Sequence, residues 1–405
     1  MLTAEQNERL TRVGPGTPAG ELLRRYWHPI AATVEMAQHA TKAVRLLGED
    51  LVLYRDESGQ LGLIGRYCAH RLTDLVYGMP DRDGLRCPYH GWKYDASGCC
   101  TEQPFEEVVR PDGFKNKVKL AGYPVEELGG LIFAYLGPQP APLLPLWDVL
   151  VDPDAQREIG HTITNCNWLQ TVENALDPVH VEWLHGEFRN YARKFAGTAQ
   201  RTLPHARHLK IDFDLKEHGI IKRRLLEGES EDHDDWRIGH WMVFPNMQKG
   251  SDMMRFRIPR DDYQTAQFYY TCRRGTGSTQ RPEDIPLYEM PSPTLDRQEQ
   301  PVWEYLDNKV DPQDNAIFVS QGTVFDRTKE LLAESDHGIV MYRHLLDHQM
   351  KLVEEGKDPM NTFRDPAANV CLNLPTESRE HFLTGRLGAR ARSSRRYRSI
   401  LRVPA

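Results

Sequence analysis

The stretch Cys68–His90, "CAHRLTDLVYGMPDRDGLRCPYH", holds two cysteines and two histidines, each cysteine just ahead of a histidine: Cys68-x-His70 and Cys87-x2-His90. Thiolates and imidazoles paired this way point to a metal site. A zinc finger keeps its cysteines together and its histidines together. Here each loop supplies one of each, which suits a site with two unlike ends. A two-iron, two-sulfide cluster with one iron on two thiolates and the other on two imidazoles has that need, and the imidazoles raise its potential. The sixteen residues between His70 and Cys87 leave room for two loops to converge. In "CPYHGW", Gly91 lets backbone approach closely, while Tyr89 and Trp92 can shield the sulfides or donate hydrogen bonds to them. Cys99 and Cys100 fall outside the pattern and read as packing residues.

Around this motif the texture is that of short strands: "VRLLG", "DLVLYRD" and "LGLIGRYC" before it, "GWKYDASG", "KNKVKLAGYPVEELG" and "LIFAYLG" after it. The tripeptide Glu57-Ser58-Gly59 reads as a hairpin turn. Residues 41–136 therefore read as a small all-β module, with the Cys–His pairs on two of its loops. Residues 1–40 read as an N-terminal helical segment. Its "VGPGTP" is no dinucleotide fingerprint, because it lacks the preceding strand and the third glycine. "GPQPAPLLPLW" is too rich in proline for regular structure and makes 137–150 a linker. Residues 151–385 mix strands, such as Leu209–Leu215 and the run 256–274, with helices, most clearly "WLQTVENALDPVHVEWLHG" and "GIVMYRHLLDHQMKLVEEG". The fold class is α+β: a small all-β domain and a larger domain with an antiparallel sheet flanked by helices. Residues 386–405 hold seven arginines and no carboxylate, and read as a solvated tail.

The 405 residues suffice for two cores. A net charge of −7 gives no global field for nucleic acid. Seven cysteines without a disulfide framework, no signal-peptide core and no long apolar run point to the cytoplasm and away from a membrane.

A second site emerges in "ENALDPVHVEWLHG". On an ideal helix His180 and His185 point about 140° apart and cannot share a metal without local distortion. Pro178 is a place where such distortion could begin. Asp177 is within reach of His180 and could take the hydrogen of its other ring nitrogen. Two histidines plus one carboxylate make the facial triad of non-haem Fe(II) oxygenases, with positions left open for dioxygen. Spacing offers Asp311, Asp314, Asp326 and Asp336 for the carboxylate and does not choose among them.

C-x-H-x16-C-x2-H with "CPYHGW" resembles the Rieske iron–sulfur motif. The whole chain to about residue 375 resembles the oxygenase (alpha) component of Rieske non-haem iron oxygenases, in the phthalate dioxygenase-like branch. The matching residues are "VGPGTPAGELLRRYWHP", the pattern Glu173, Asp177, His180, His185, then Gln313-Asp314 ahead of Gly322, and Asp326–Glu330. The resemblance implies a [2Fe-2S] cluster on Cys68, His70, Cys87 and His90, and a mononuclear Fe(II) on His180, His185 and Asp314. Asp326 and Glu330 then look structural, Asp326 as a helix cap. It also implies a homotrimer in which Asp177 bridges a cluster histidine, here His90, of one subunit to His180 of the next. No flavin or nicotinamide motif is present, so electrons from NAD(P)H must arrive through a separate reductase. The expected reaction is hydroxylation or oxidative O-demethylation of an aromatic acid with O2. The other reading, an electron carrier with a Rieske cluster and no catalytic iron, has no use for His180, His185 and Asp314. A carboxylate substrate calls for a pocket arginine. Arg207, Arg255 and Arg257 lie in the larger domain, each read first as a surface or ion-pair residue. The apolar run 236–247 reads as core before it reads as an aromatic pocket.

Overall fold

Thr3 opens the first helix of the computed structural model, Ala4–Thr11, with a reciprocal cap: its hydroxyl accepts from Gln6 N while the Gln6 side chain accepts from Thr3 N. Thr17 caps a second, Pro18–Leu23, which starts on the proline. The structure describes residues 1–378 apart from 112, 198–205, 278–279, 291, 293–294, 297 and 307–309. The arginine-rich segment 386–405 lies outside the described residues.

The N-terminal segment is not helical through residue 40. Trp27–Ala32 is a strand, buried at every position and paired antiparallel with Leu131–Tyr135. Pro29 is the physical reason: it cannot continue a helix, and the ladder shifts register just after it, between Pro29 and Ala31. The β module therefore begins near Trp27 rather than at 41, with the short helix Thr33–Gln38 set into it.

Three small sheets build that module. Trp27–Ala32, Leu131–Tyr135 and Val125–Leu128 form one; Thr41–Leu46, Glu49–Arg55, Leu61–Gly65 and Gly122–Tyr123 form another. The third, Met79–Asp81, Gly84–Arg86, Lys93–Tyr94 and Cys100–Glu102, carries the second Cys–His loop. Asp56 fixes the turn around Glu57-Ser58-Gly59, its Oδ1 accepting from Ser58 N and Gln60 N. Cys68, Cys87 and Cys100 share a small core with Leu75, Leu85 and Tyr94, so Cys100 does pack.

The proline-rich stretch is irregular to Trp147 but is no free linker. Leu143 bridges to Phe363 and Trp147 to Leu372, and Trp147 is buried in the main core. Beyond it one eight-stranded sheet runs in the order His208–Lys216, Gly219–Leu226, His240–Val243, Met247–Gly250, Met253–Pro259, Thr265–Arg274, Ala155–Thr164, Leu287–Glu289. Every neighbouring pair is antiparallel except the last. Trp241, Met242, Val243 and Phe244 fill the core. The helices Trp168–Leu176, Val310–Ser320 and His337–Glu354 accompany the sheet, and the chain is α+β. Among the described residues no helix is long and apolar enough to cross a membrane.

A buried ion network ties these helices to the N-terminus. Glu173 takes Arg327 Nη2 and Arg343 Nε, each at 2.7 Å. Arg343 also pairs with Glu330, and Arg327 Nη1 reaches Asn7 Oδ1 at 3.2 Å. Burial alone would push the Glu173 carboxyl up; the two guanidinium charges outweigh it and hold it below its ordinary range. Glu330 is structural in this sense. Asp326 is not a helix cap: its Oδ1 accepts from Thr328 N and Oγ1 and closes a turn. Glu173→Gln leaves two buried guanidiniums short of a counter-charge and should cost about 3–5 kcal/mol of stability. Urea denaturation measures it; a loss under about 0.5 kcal/mol contradicts it.

Candidate metal centres

The two Cys–His loops are built alike. Cys68 follows the strand Leu61–Gly65 and Cys87 follows Gly84–Arg86. In each, the fourth residue after the cysteine donates back to the cysteine carbonyl: Leu72 N to Cys68 O at 2.9 Å, Gly91 N to Cys87 O at 3.1 Å. Both closing residues are left-handed, φ 56° at Leu72 and 75° at Gly91. Glycine adopts that conformation freely, whereas at Leu72, whose side chain is exposed, it comes with the backbone bond to Cys68 O. The loops bring the His70 and His90 rings to 4.4 Å between centroids, and Trp92 stacks on His70 at 4.6 Å.

The cysteines are buried, while His90 is exposed, so the site has a thiolate end inside and an imidazole end at the surface. Burial pushes the Cys68 thiol up, so a thiolate there calls for a positive partner such as iron. His70 Nδ1 is buried without a hydrogen-bond partner, as a ligating nitrogen would be before its metal arrives. These four residues fit a [2Fe-2S] cluster.

Tyr94 was not singled out by the sequence. Its hydroxyl accepts from Ala69 N and lies 3.2 Å from Cys68 Sγ, within reach to donate its hydrogen to a thiolate there. The roles foreseen for Tyr89 and Trp92 divide differently. Trp92 shields one side by stacking on His70; Tyr89 is exposed, with its hydroxyl accepting from Arg71 Nη1. A hydrogen bond to a ligating sulfur stabilises the reduced cluster. Tyr94→Phe should lower the cluster's reduction potential by on the order of 50 mV. A redox titration followed in the visible band reads this, and an unchanged potential contradicts it.

The second centre depends on a helical irregularity. Trp168–Leu176 stops before Pro178, and Asp177 begins a new start: its Oδ1 accepts from Val179 N at 2.8 Å and His180 N at 3.2 Å. His180–Glu182 is α-helical, Trp183–Phe188 is π-helical, and Arg189–Phe195 is α-helical again. An i→i+5 helix closes its turn on the fifth residue, which brings residues five apart onto one face. The distortion needed to unite the two histidines is thus mainly after His180, while Pro178 only ends the helix before it. The rings of His180 and His185 lie 5.1 Å apart.

Among the described residues His180, His185 and Asp314 have donor atoms within 4.8 Å of one another. His185 Nε2 is 2.9 Å and His180 Nε2 is 3.8 Å from Asp314 Oδ1. Gln313 fixes the His185 tautomer: its amide nitrogen donates to Leu306 O, so its Oε1 must accept from His185 Nδ1, at 2.8 Å. The Nε2 lone pair then faces a carboxylate oxygen, an arrangement that needs a cation between them. Asn174 Nδ2 stands 3.3 Å from His180 Nε2, and Asp177 Oδ2 lies 3.5 Å from His180 Nδ1, at the edge of hydrogen-bond range. Two imidazoles and a carboxylate with free positions fit a ferrous ion.

Burial would raise the Asp177 carboxyl, but its contacts with His180 and the charge of Lys222 bring it down to about 2. The other candidate carboxylates are used elsewhere. Asp311 pairs with Arg255, Asp326 closes its turn, and Asp336 Oδ2 accepts from Ala333 N. Arg207 is exposed, whereas Arg255 and Arg257 are buried. A second cluster, Glu229, His233 and Asp235, has its aspartate engaged by Arg224 at 2.7 Å and His240 at 3.1 Å.

Comparison with known proteins adds to this geometry. Residues 26–118 match the Rieske [2Fe-2S] domain. The chain is 43% identical over 388 residues, 95% of its length and 89% of the relative's, to the 5,5'-dehydrodivanillate O-demethylase oxygenase subunit of Sphingobium sp. (strain NBRC 103272 / SYK-6). It is 28% identical to the phthalate 4,5-dioxygenase oxygenase subunit of Pseudomonas putida, over 89% of each chain. The solved structure of NdmA from Pseudomonas putida CBB5 shares its fold, with a TM-score of 0.58 at 21% identity over 89% of this chain and 99% of that one.

Proposed function

This chain belongs to the Rieske non-haem iron oxygenases as a terminal oxygenase (alpha) component, and from that premise we propose that it oxidatively O-demethylates a methoxylated aromatic acid. The convergence of His180, His185 and Asp314 carries the reading, because a pure electron carrier has no use for it. The O-demethylase relative at 43% identity favours ether cleavage. Ring hydroxylation is the second reading, favoured by the phthalate dioxygenase relative. The alternative of a cluster-bearing carrier without catalytic iron finds no support.

When bound, the mononuclear iron supplies dioxygen activation and the cluster supplies electrons one at a time. In the net reaction an aryl methyl ether, dioxygen, two electrons and two protons give the phenol, formaldehyde and water. The residues of the chain set the geometry. Gln313 holds His185 with Nε2 toward Asp314, and the π-turn Trp183–Phe188 keeps His180 on the same face. The electrons come from NAD(P)H through a separate reductase, and the cytoplasm suits cysteines that form no disulfide.

The proposal includes a head-to-tail homotrimer. His90 is exposed, as are Leu72 and Tyr89 on the two cluster loops, and Asp177 is partly open, with Trp183 exposed six residues on. Exposed apolar side chains on the segments of both centres suit burial between copies of the chain. In that arrangement Asp177 spans His90 of one subunit and His180 of the next.

Oxygen uptake with NAD(P)H and a reductase, across methoxylated and unmethoxylated aryl acids with formaldehyde assayed alongside, tests the function. Uptake matched by formaldehyde for the methoxylated acids is expected. Uptake indifferent to the aryl acid, or diols in place of formaldehyde, would refute ether cleavage.

A further inference from the structure

Strand alternation divides the side chains of Met253–Pro259 between two faces. Met254, Phe256 and Ile258 enter the apolar core. Arg255 and Arg257 project to the other face, and both are buried. A buried guanidinium needs acceptors for its fixed fork of donors. Arg255 has them: it pairs with Asp311 and lies 4.8 Å over the Tyr269 ring. Arg257 does not. Its Nη2 donates to Gln248 Oε1 at 3.1 Å, while Nε and Nη1 are buried with no acceptor. Among the described residues no carboxylate pairs with it.

The position of this unanswered cation is informative. Asp311, the partner of its strand neighbour Arg255, stands one helical turn before Asp314 on Val310–Ser320. The same sheet face is tied to that helix again where Gln267 Nε2 donates to Asn315 Oδ1 at 2.7 Å. Arg257 feels the attraction of both Asp311 and Asp314. Burial and the like charge of Arg255 lower its pKa to about 10, which still leaves it cationic at neutral pH. A buried, charged, half-satisfied fork on the face of the sheet that carries the metal-bearing helix matches the shape and charge of a carboxylate.

We propose that Arg257 anchors the carboxylate of the aromatic acid, so that the acid end of the substrate is held at the sheet and the rest of the ring is left to the His180–His185–Asp314 side. This rests on the aromatic-acid reading above and names the residue that makes the chain selective for acids. Arg255, already paired with Asp311, and Arg207, exposed, are not the anchor. A site built to pair with a charged group discriminates strongly against its neutral isostere, because the analogue leaves the buried guanidinium unpaired.

The test compares 3-methoxybenzoate with 3-methoxybenzamide on the holoenzyme, by calorimetric affinity and by KM and kcat, in wild type, Arg257→Gln and Arg257→Lys. Wild type is expected to bind the acid at least about 100-fold more tightly than the amide. Arg257→Gln should lose that preference, through KM more than kcat, with amide affinity, iron content and the visible spectrum unchanged. Arg257→Lys should recover part of the acid affinity, since it restores the charge without the fork. Acid and amide falling together in Arg257→Gln would make the residue structural only, and a wild-type acid-to-amide ratio near one would overturn the anchor outright. Should the glutamine variant not fold, that ratio and the lysine variant decide. Tight acid binding without oxygen uptake would instead sink the demethylase reading and leave the anchor standing.

Discussion

Asp314→Ala is expected to lose the mononuclear iron and keep the cluster, with oxygenation falling more than about 1,000-fold in kcat/KM. The reason lies in the donor set. Asp314 Oδ1 is 2.9 Å from His185 Nε2 and 3.8 Å from His180 Nε2, so it is the one anionic member of the group and the one not carried by the irregular helix. Two neutral imidazoles alone give a weak site for a hard ferrous ion. The cluster loops belong to two of the small sheets, apart from the eight-stranded one, and share no residue with the His180–His185–Asp314 group, so the red-brown absorbance should be untouched. Iron should drop from about three to about two per chain. Asp311→Ala is the control: it lies on the same helix but pairs with Arg255, and should keep the iron. Full iron in the Asp314 variant, or iron lost equally in the control, contradicts the assignment.

Asp177→Asn should keep every metal and still slow turnover by about 10- to 100-fold, the usual cost of altering a residue that orients a metal ligand. The substitution is nearly isosteric. The amide oxygen can still accept from Val179 N and His180 N, so the local start of the helix survives. The loss falls on the other oxygen, Oδ2, which lies 3.5 Å from His180 Nδ1 and is partly open to the outside. An amide nitrogen there is a donor facing a donor. Electron transfer from reduced cluster to iron, followed in a single turnover by bleaching and recovery of the visible band, is the readout. A slowed transfer with unchanged iron and unchanged substrate affinity is expected. An unchanged transfer rate removes Asp177 from the path.

What was legible in the sequence was what lies close in the chain. Cys68, His70, Cys87 and His90 stand out as a set because each short loop carries one thiol and one imidazole, and the structure brings the two loops together. The pairing of His180 with His185 was legible only as a problem. A π-turn has no composition signal, and the α-helical period sets those two residues on different faces. Asp314 could not be told from Asp311 by spacing, since only tertiary packing gives Asp311 to Arg255. Tyr94 was overlooked although it stands two residues past Trp92. Strand alternation puts it on the same face as Trp92, but only the tertiary return of the first loop brings Cys68 to its hydroxyl. Trp27–Ala32 was misread as part of a helical segment because the preceding Leu22 and Leu23 are helical; Pro29 was the signal against it. The three arginines were indistinguishable as letters. Only burial and hydrogen bonding separate exposed Arg207, carboxylate-paired Arg255 and unanswered Arg257.

The central claim is that one chain holds two kinds of iron, and Mössbauer spectroscopy of dithionite-reduced, isotopically enriched protein addresses it most directly. Three iron populations of about equal area are expected: a ferric iron on two thiolates, a ferrous iron on two imidazoles, and a separate high-spin ferrous iron in nitrogen and oxygen ligands. A spectrum with only the first two, persisting after anaerobic supply of ferrous ion, would contradict it.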